Sequence, residues 1–297
     1  MKRFIFSKIG ILYILALLGL FSLAMYIWKQ EHRAPLFEMY IFGLKNSTAA
    51  FIRTPDDKRI LINGGSNSEI IRHISKILPF YSRRIDIVVA TDTEKKNVTG
   101  LIGVVERYNI DRVIVPRITS GDLHLLVSTS TDRTYETFIT AVRKATIPIR
   151  EIGASEKISF DSYSSKSVLI NIFFPVSSEI FSYSKASPPE ILFVLTHGST
   201  NIVWAGNGSK KIQKYIASSN TSTPRIIDVL IVSHSALLTH IDRTFMEIYR
   251  PRFLTYSQSL YGSSVANPFS YDTRFNIQEN TIRIVSDGIS VHLERIQ

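Results

Sequence analysis

The residues best placed to do chemistry form a turn of seven polar residues, Thr91 to Asn97. The turn lies between an apolar β-branched run, Ile85 to Ala90, and a helical apolar pattern from Val98 to Tyr108. A strand that opens into a short polar turn and then a helix is where α/β folds place their sites, because the carboxyl end of the strand faces a crevice. Asp92 and Glu94 alternate as side chains do at a strand end, so both can face one crevice and offer oxygen ligands to a hard cation. Lys95 and Lys96 favour a plainer account, a solvated surface turn whose exposed charge pairs add little. Later in the chain, His234 closes the apolar run of Val229 to Val232. A histidine there is a ligand, a base or only a hydrogen-bonded turn residue.

The elements that must position these residues follow from apolar spacing. Alternating runs at Glu38 to Leu44, Ala49 to Arg53 and Arg59 to Ile62 predict strands, with turn chemistry at Thr54-Pro55-Asp56-Asp57 and at Asn63-Gly64-Gly65-Ser66. Ile70, Ile71, Ile74, Ile77 and Leu78 recur at helical spacing until Pro79 stops them. Val113 to Val115 predicts a short strand, Thr134 to Lys144 a helix, and Ile147 to Phe174 three short β-rich runs. Ile191 to Leu195 and Asn201 to Ala205 flank a turn at His197-Gly198-Ser199. Ile282 to Val285 and Ile289 to Leu293 flank another at Asp287-Gly288. The switch from helix to β near Arg150 suits two α/β halves packed sheet to sheet.

Ile9 to Trp28 are 20 consecutive uncharged, mostly apolar residues, enough to cross a bilayer as a helix. Tyr26 and Trp28 sit where aromatic rings favour the interface, and Lys2, Arg3 and Lys8 precede the span. The expectation is a single-pass membrane protein with residues 1–33 as cytoplasmic tip and anchor, and residues 34–297 as an extracytoplasmic body. The competing reading is a cleaved signal peptide ending near Ser22-Leu23-Ala24. Net charge is +10, of which the first 33 residues carry +4. The remaining +6 includes Lys95-Lys96 and Lys210-Lys211, which suits a polyanion such as DNA or an anionic lipid surface. With no cysteine, disulfides and thiolate metal sites are excluded.

Four segments resemble the metallo-β-lactamase superfamily, and in particular the extracytoplasmic lactamase-like domain of the competence protein ComEC. Residues 84–116, RIDIVVATDTEKKNVTGLIGVVERYNIDRVIVP, are similar to the superfamily's metal-binding segment, in which a strand ends in T-H-x-H-x-D-H before a glycine and a helix. The four ligand positions fall on Asp92, Glu94, Lys96 and Asn97, and none is retained. The opening, Arg53-Thr54-Pro55-Asp56-Asp57-Lys58 and Ile60-Leu61-Ile62-Asn63-Gly64-Gly65, resembles the R-T-P-D-G-K and I-L-I-D-G-G runs. The family aspartates fall on Gly43, Thr48 and Asn63. The strand pair from Ile191 resembles one that ends in L-L-T-G-D, which places the bridging aspartate on Asn207. The run from Asp228 resembles D-V-L-K-x-P-H-H-G-S, with His234 and Ser235 on the histidine pair. Ser257 to Asn276 falls on an active-site loop and lacks its histidine.

Over Pro35 to Gln297 the resemblance implies an αββα sandwich that has lost hydrolysis. No metal cofactor is then expected, and Asp92, Glu94 and His234 are the weak candidates for zinc or manganese. The implied role is binding or structural, with the membrane, DNA and a polytopic membrane channel protein as partners. Lys95, Lys96, Lys210 and Lys211 would contact the nucleic acid. The alternative class is a metal-dependent nuclease or phosphodiesterase rebuilt on Asp92, Glu94 and His234.

Overall fold

A computed structural model describes residues 8–31, 36–45, 47–118, 133–160, 167–177, 180–184, 189–206, 209–218, 226–232, 242–256, 274–277 and 281–296. The chain divides into two units, Met1–Pro35 and Leu36–Gln297. The first holds α1 (Lys8–Glu31). Ile14, Leu15, Leu17, Leu18, Leu20 and Phe21 on it are exposed. Among the described residues no helix is long and apolar enough to cross a membrane.

The second unit is a four-layer α/β/β/α sandwich, as the sequence reading expects. Its first sheet has the order β15-β14-β1-β2-β3-β4-β5-β6. These strands are β1 (Phe37–Leu44), β2 (Ser47–Arg53), β3 (Arg59–Ile62), β4 (Arg84–Val89), β5 (Asn109–Pro116), β6 (Ile149–Ile152), β14 (Thr281–Ser286) and β15 (Val291–Ile296). The second sheet has the order β13-β12-β11-β10-β9-β8-β7. Its strands are β7 (Lys157–Phe160), β8 (Val168–Phe174), β9 (Leu192–His197), β10 (Thr200–Gly206), β11 (Val229–Val232), β12 (Phe253–Tyr256) and β13 (Arg274–Asn276). Between the sheets lies one apolar layer built from alternate residues of both, including Met39, Ile52, Ile60 and Ile284 from the first and Ile170, Phe193, Trp204 and Ile231 from the second.

The outer faces are closed by amphipathic helices. On the first sheet these are α2 (Glu69–Ile77), α3 (Lys95–Arg107) and α4 (Thr134–Lys144), through Ile70, Ile74, Leu101, Val104, Phe138 and Val142. On the second they are α5 (Lys210–Ser218) and α6 (Arg243–Tyr249), through Ile212, Ile216, Phe245 and Met246. Each helix presents one apolar stripe to a sheet, and burial of that stripe is what stabilises helices this short.

Several boundaries differ from the spacing-based reading. α3 starts at Lys95 rather than Val98, because its first three residues are polar and carry no apolar signal. β5 begins at Asn109, where Asn109 N–H donates to the Arg83 carbonyl and the polar Asp111 and Arg112 face outward. Ile289 belongs to the β14–β15 turn, which Asp287 caps by accepting from the backbone N–H groups of Ile289 and Ser290. Arg274–Asn276, expected within a loop, pairs in parallel with β12.

Two inter-sheet contacts fix the ends of the sandwich. At one end Ile191 N–H donates to the Thr91 carbonyl at 2.6 Å. At the other, Ser199 N–H donates to the Gly288 carbonyl at 2.9 Å, joining the β9–β10 and β14–β15 turns. A Cβ on Gly198 (φ +58°) would stand 2.1 Å from that same carbonyl, so the turns meet only because position 198 is glycine.

Candidate functional site

The carboxyl ends of β3 and β4 meet the start of α3, and close backbone contact sets the geometry. Gly64 N–H donates to the Asn97 carbonyl at 2.7 Å, and Gly100 N–H donates to the Gly65 carbonyl at 3.0 Å. A Cβ on Gly100 would lie 1.9 Å from the Gly64 carbonyl oxygen, so helix and loop approach this closely only through glycine. Asn63 enters the loop with φ +58°, in the left-handed region that asparagine tolerates.

That approach brings five polar side chains into one buried network. Asp92, Asn97, Asn63, Thr91 and Ser47 are each at most 2% exposed. Asn97 Nδ2 donates to Asp92 Oδ2 at 2.6 Å, while Asn97 Oδ1 accepts from Ser47 Oγ at 2.6 Å. Asp92 Oδ1 accepts from Glu94 N–H at 2.8 Å. Asn63 Oδ1 accepts from Thr91 N–H at 2.9 Å, and Asn63 Nδ2 donates to Thr91 Oγ1 at 3.0 Å. Burial, with the Glu94 carboxylate adding to it, pushes the Asp92 carboxyl up to about 7.

Glu94 and Lys96 do not join this network. They pair with each other at 2.6 Å on the rim, with the Glu94 side chain 38% and the Lys96 side chain 25% exposed. Asp92 and Glu94 therefore do not share a crevice. Asp92 turns inward and Glu94 turns to a lysine. Lys95, on the first turn of α3, is exposed. Lys210 and Lys211, at the start of α5, are exposed at the same end of the sandwich, in the opposite outer layer. Lys211 Nζ donates to the Ser182 carbonyl at 2.6 Å and sits 4.7 Å from the Phe181 ring centroid. Phe181 and Lys211 line a groove of about 500 Å³ with Lys214 and Tyr215. Asn207 and His234 lie outside the described residues, as does most of Ser257 to Asn276.

Three participants were not singled out by sequence reasoning. Ser47 lies 50 residues from Asn97 and no local pattern marks it. Glu190 is buried at the start of β9, and a Cβ on Gly206 would meet its Oε1 at 1.9 Å. Tyr135 on α4 has its hydroxyl pushed up to about 12 by burial, with smaller contributions from Glu151 and from Asp92.

As a metal centre the described arrangement does not fit. Both Asp92 oxygens are occupied by N–H donors, Asn97 presents its amide NH2 rather than its oxygen to Asp92, and Lys96 neutralises Glu94. Among the described residues no three His, Asp or Glu side chains are grouped to hold an ion. What the arrangement does is hold the strand–loop–helix junction rigid with satisfied hydrogen bonds.

No family model matches the chain, and no curated protein matches it. Solved structures do. The chain is similar to a mutant of the CmlA β-hydroxylase at TM-score 0.47 and 13% identity, over 74% of this chain and 45% of that one. The chain therefore spans less than half the length of that protein. It is also similar to MEM-A1, a subclass B3 metallo-β-lactamase from a soil metagenome library, at TM-score 0.43 and 12% identity, over 73% of this chain and 89% of that one. A B3 metallo-β-lactamase with an active-site glutamic acid matches at TM-score 0.44 and 16% identity, over 76% of this chain and 91% of that one.

Proposed function

We propose that this protein is a membrane-anchored, non-hydrolytic relative of the ComEC lactamase-like domain that works by binding a polyanion, with DNA the foremost ligand. The observation that carries the reading is the closed hydrogen-bond network around Asp92, with Lys96 placed on Glu94. A hydroxide-generating metal needs anionic or imidazole ligands free to face it. Here the carboxylate of Asp92 faces amide donors. Lysines at the amino-terminal turns of α3 and α5 supply positive charge at the same end of the sandwich, which suits a phosphate backbone. The 20-residue apolar run Ile9 to Trp28 supports anchoring. A polytopic membrane channel is the partner that the ComEC resemblance suggests.

The test uses the full-length protein purified in detergent, with metal content, DNA cleavage and DNA binding measured on one preparation. The expected result is no stoichiometric zinc or manganese, no cleavage, and sequence-independent binding. With two to four phosphate contacts, affinity should fall about 10- to 150-fold between about 50 and 200 mM salt. Near-stoichiometric metal, or cleavage abolished by His234→Ala, would show a working hydrolase and overturn this reading.

A further inference from the structure

The exposed large apolar side chains of the body are not scattered. Leu36, Phe80, Tyr81, Ile226, Ile248 and Ile289 are 41–95% exposed, and Phe80 and Tyr81 are the extremes of a turn tip at 95% and 78%. Their rings meet edge to face, 5.4 Å apart.

Strand register places all six at one end. Phe37 is opposite Ser286, so β1 begins where the β14–β15 turn carrying Ile289 lies. Glu38 is opposite Arg53, Arg53 opposite Arg59, and Ile60 opposite Ile87, so β4 begins at that end too, directly after Phe80 and Tyr81. The β9–β10 turn meets Gly288 there, and Asn201 just beyond it donates to the Ile226 carbonyl. The final turn of α6, with Ile248, leads into β12 beside Ile227, whose carbonyl accepts from Arg252 N–H. Among the described residues only one comparable side chain of the body, Ile180 at 64%, lies toward the opposite end, six residues past β8.

Basic residues accompany this apolar set. Arg84 is held between Asp86 and Asp111. Lys76, Arg83, Arg107 and Arg252 have no carboxylate partner among the described residues. The body's first strand, β1, also begins at this end.

We propose that this end is a lipid-contacting face that rests on the headgroup region of an anionic bilayer, with Phe80, Tyr81 and Ile289 at the interface and the arginines on phosphates. Aromatic rings beside cationic side chains are the composition that interfacial anchors use. Apolar residues scattered over the whole surface would be unremarkable, but these six share one end. The proposal rests on α1 being the membrane anchor. It adds that the site end, with Asp92 and the α3 and α5 lysines, points away from the membrane.

The chain has no cysteine, so single substitutions give unique labels. Full-length Phe80→Cys, Ile289→Cys and, as control, Ile180→Cys would each carry an environment-sensitive fluorophore and be reconstituted into phosphatidylcholine vesicles with and without phosphatidylglycerol. Flotation reports on the anchor. Nitroxide-lipid and iodide quenching report on the face. The expected result is lipid quenching at 80 and 289 at least threefold above that at 180 in anionic vesicles, and a smaller difference in neutral ones. Protein that floats but shows 80 and 289 as open to iodide as 180 would overturn the lipid face alone. Protein that fails to float would overturn the anchor reading and this proposal with it.

Discussion

At the scale of single residues, Asp92 is the group whose behaviour differs most from its ordinary chemistry. Its folded-state value of about 7 stands above the unfolded value near 3.8, so the native state binds the proton more tightly than the unfolded chain. Stability from this group is fully present below about pH 4 and is lost as pH rises through about 7. The wild type should therefore lose about 2–4 kcal/mol relative to Asp92→Asn between pH 4 and 8, since one unit is about 1.4 kcal/mol. Urea midpoints of both proteins across that range check it, and a pH-independent difference would show that Asp92 does not titrate there. Asn97→Ala removes a partner from both Asp92 and Ser47 and should cost about 2–3 kcal/mol. Lys96→Ala breaks a partly exposed pair with Glu94 and should cost less than about 1 kcal/mol. Thermal melts rank the two. The polar residues at 92, 94, 96 and 97 were plain in the sequence. Their mutual geometry was not, because Ser47 and Asn63 reach the network from distant strands.

At the scale of elements, the Asn63–Gly65 loop and α3 act as one piece through their shared backbone contacts. Gly100→Ala puts a methyl 1.9 Å from a carbonyl oxygen with nowhere to go, and should cost about 3 kcal/mol or more. Gly103→Ala on the same helix meets only the flexible ends of Arg107 and Ile71 at 3.1 Å and gains helix propensity. It should stay within about 1 kcal/mol of the wild type, and denaturant titration of the pair isolates the packing effect from the propensity effect. β1, β2, β9 and β10 are buried on both faces and were legible as short apolar runs, and β14 as an alternating one. The start of α3 was not legible, because its first three residues, Lys95, Lys96 and Asn97, are all polar. The parallel pairing of Arg274–Asn276 with β12 was hidden for a related reason, as three residues are too few to show a period.

At the scale of the whole molecule, the two ends of the sandwich divide the work: one carries the charged turns of the proposed binding site and the other the apolar tips. Lys95→Glu combined with Lys210→Glu should lower DNA affinity at least tenfold at about 100 mM salt and flatten its salt dependence by about two contacts, while leaving vesicle flotation unchanged. Filter binding across salt, beside flotation, checks both halves of that expectation. The body's αββα sandwich was an expectation of the family resemblance, with which the helix-to-β switch near Arg150 agreed. The grouping of exposed apolar residues was not, since they come from five separated turns and ends. Sheet order carries a consequence for how this chain is made. β1 lies in the interior of its sheet, between β2 and β14, and Glu38 of β1 pairs with Arg283 of β14 across 245 residues. At ribosomal rates of about 5–20 residues per second, the first strand to emerge waits roughly 12–50 s for its second neighbour. Until then it offers an open apolar edge in whichever compartment receives the nascent chain. A chain stopped before Thr281 should remain in that state, recoverable mainly in aggregates or bound to holdase chaperones, whereas one that reaches Gln297 closes the sheet.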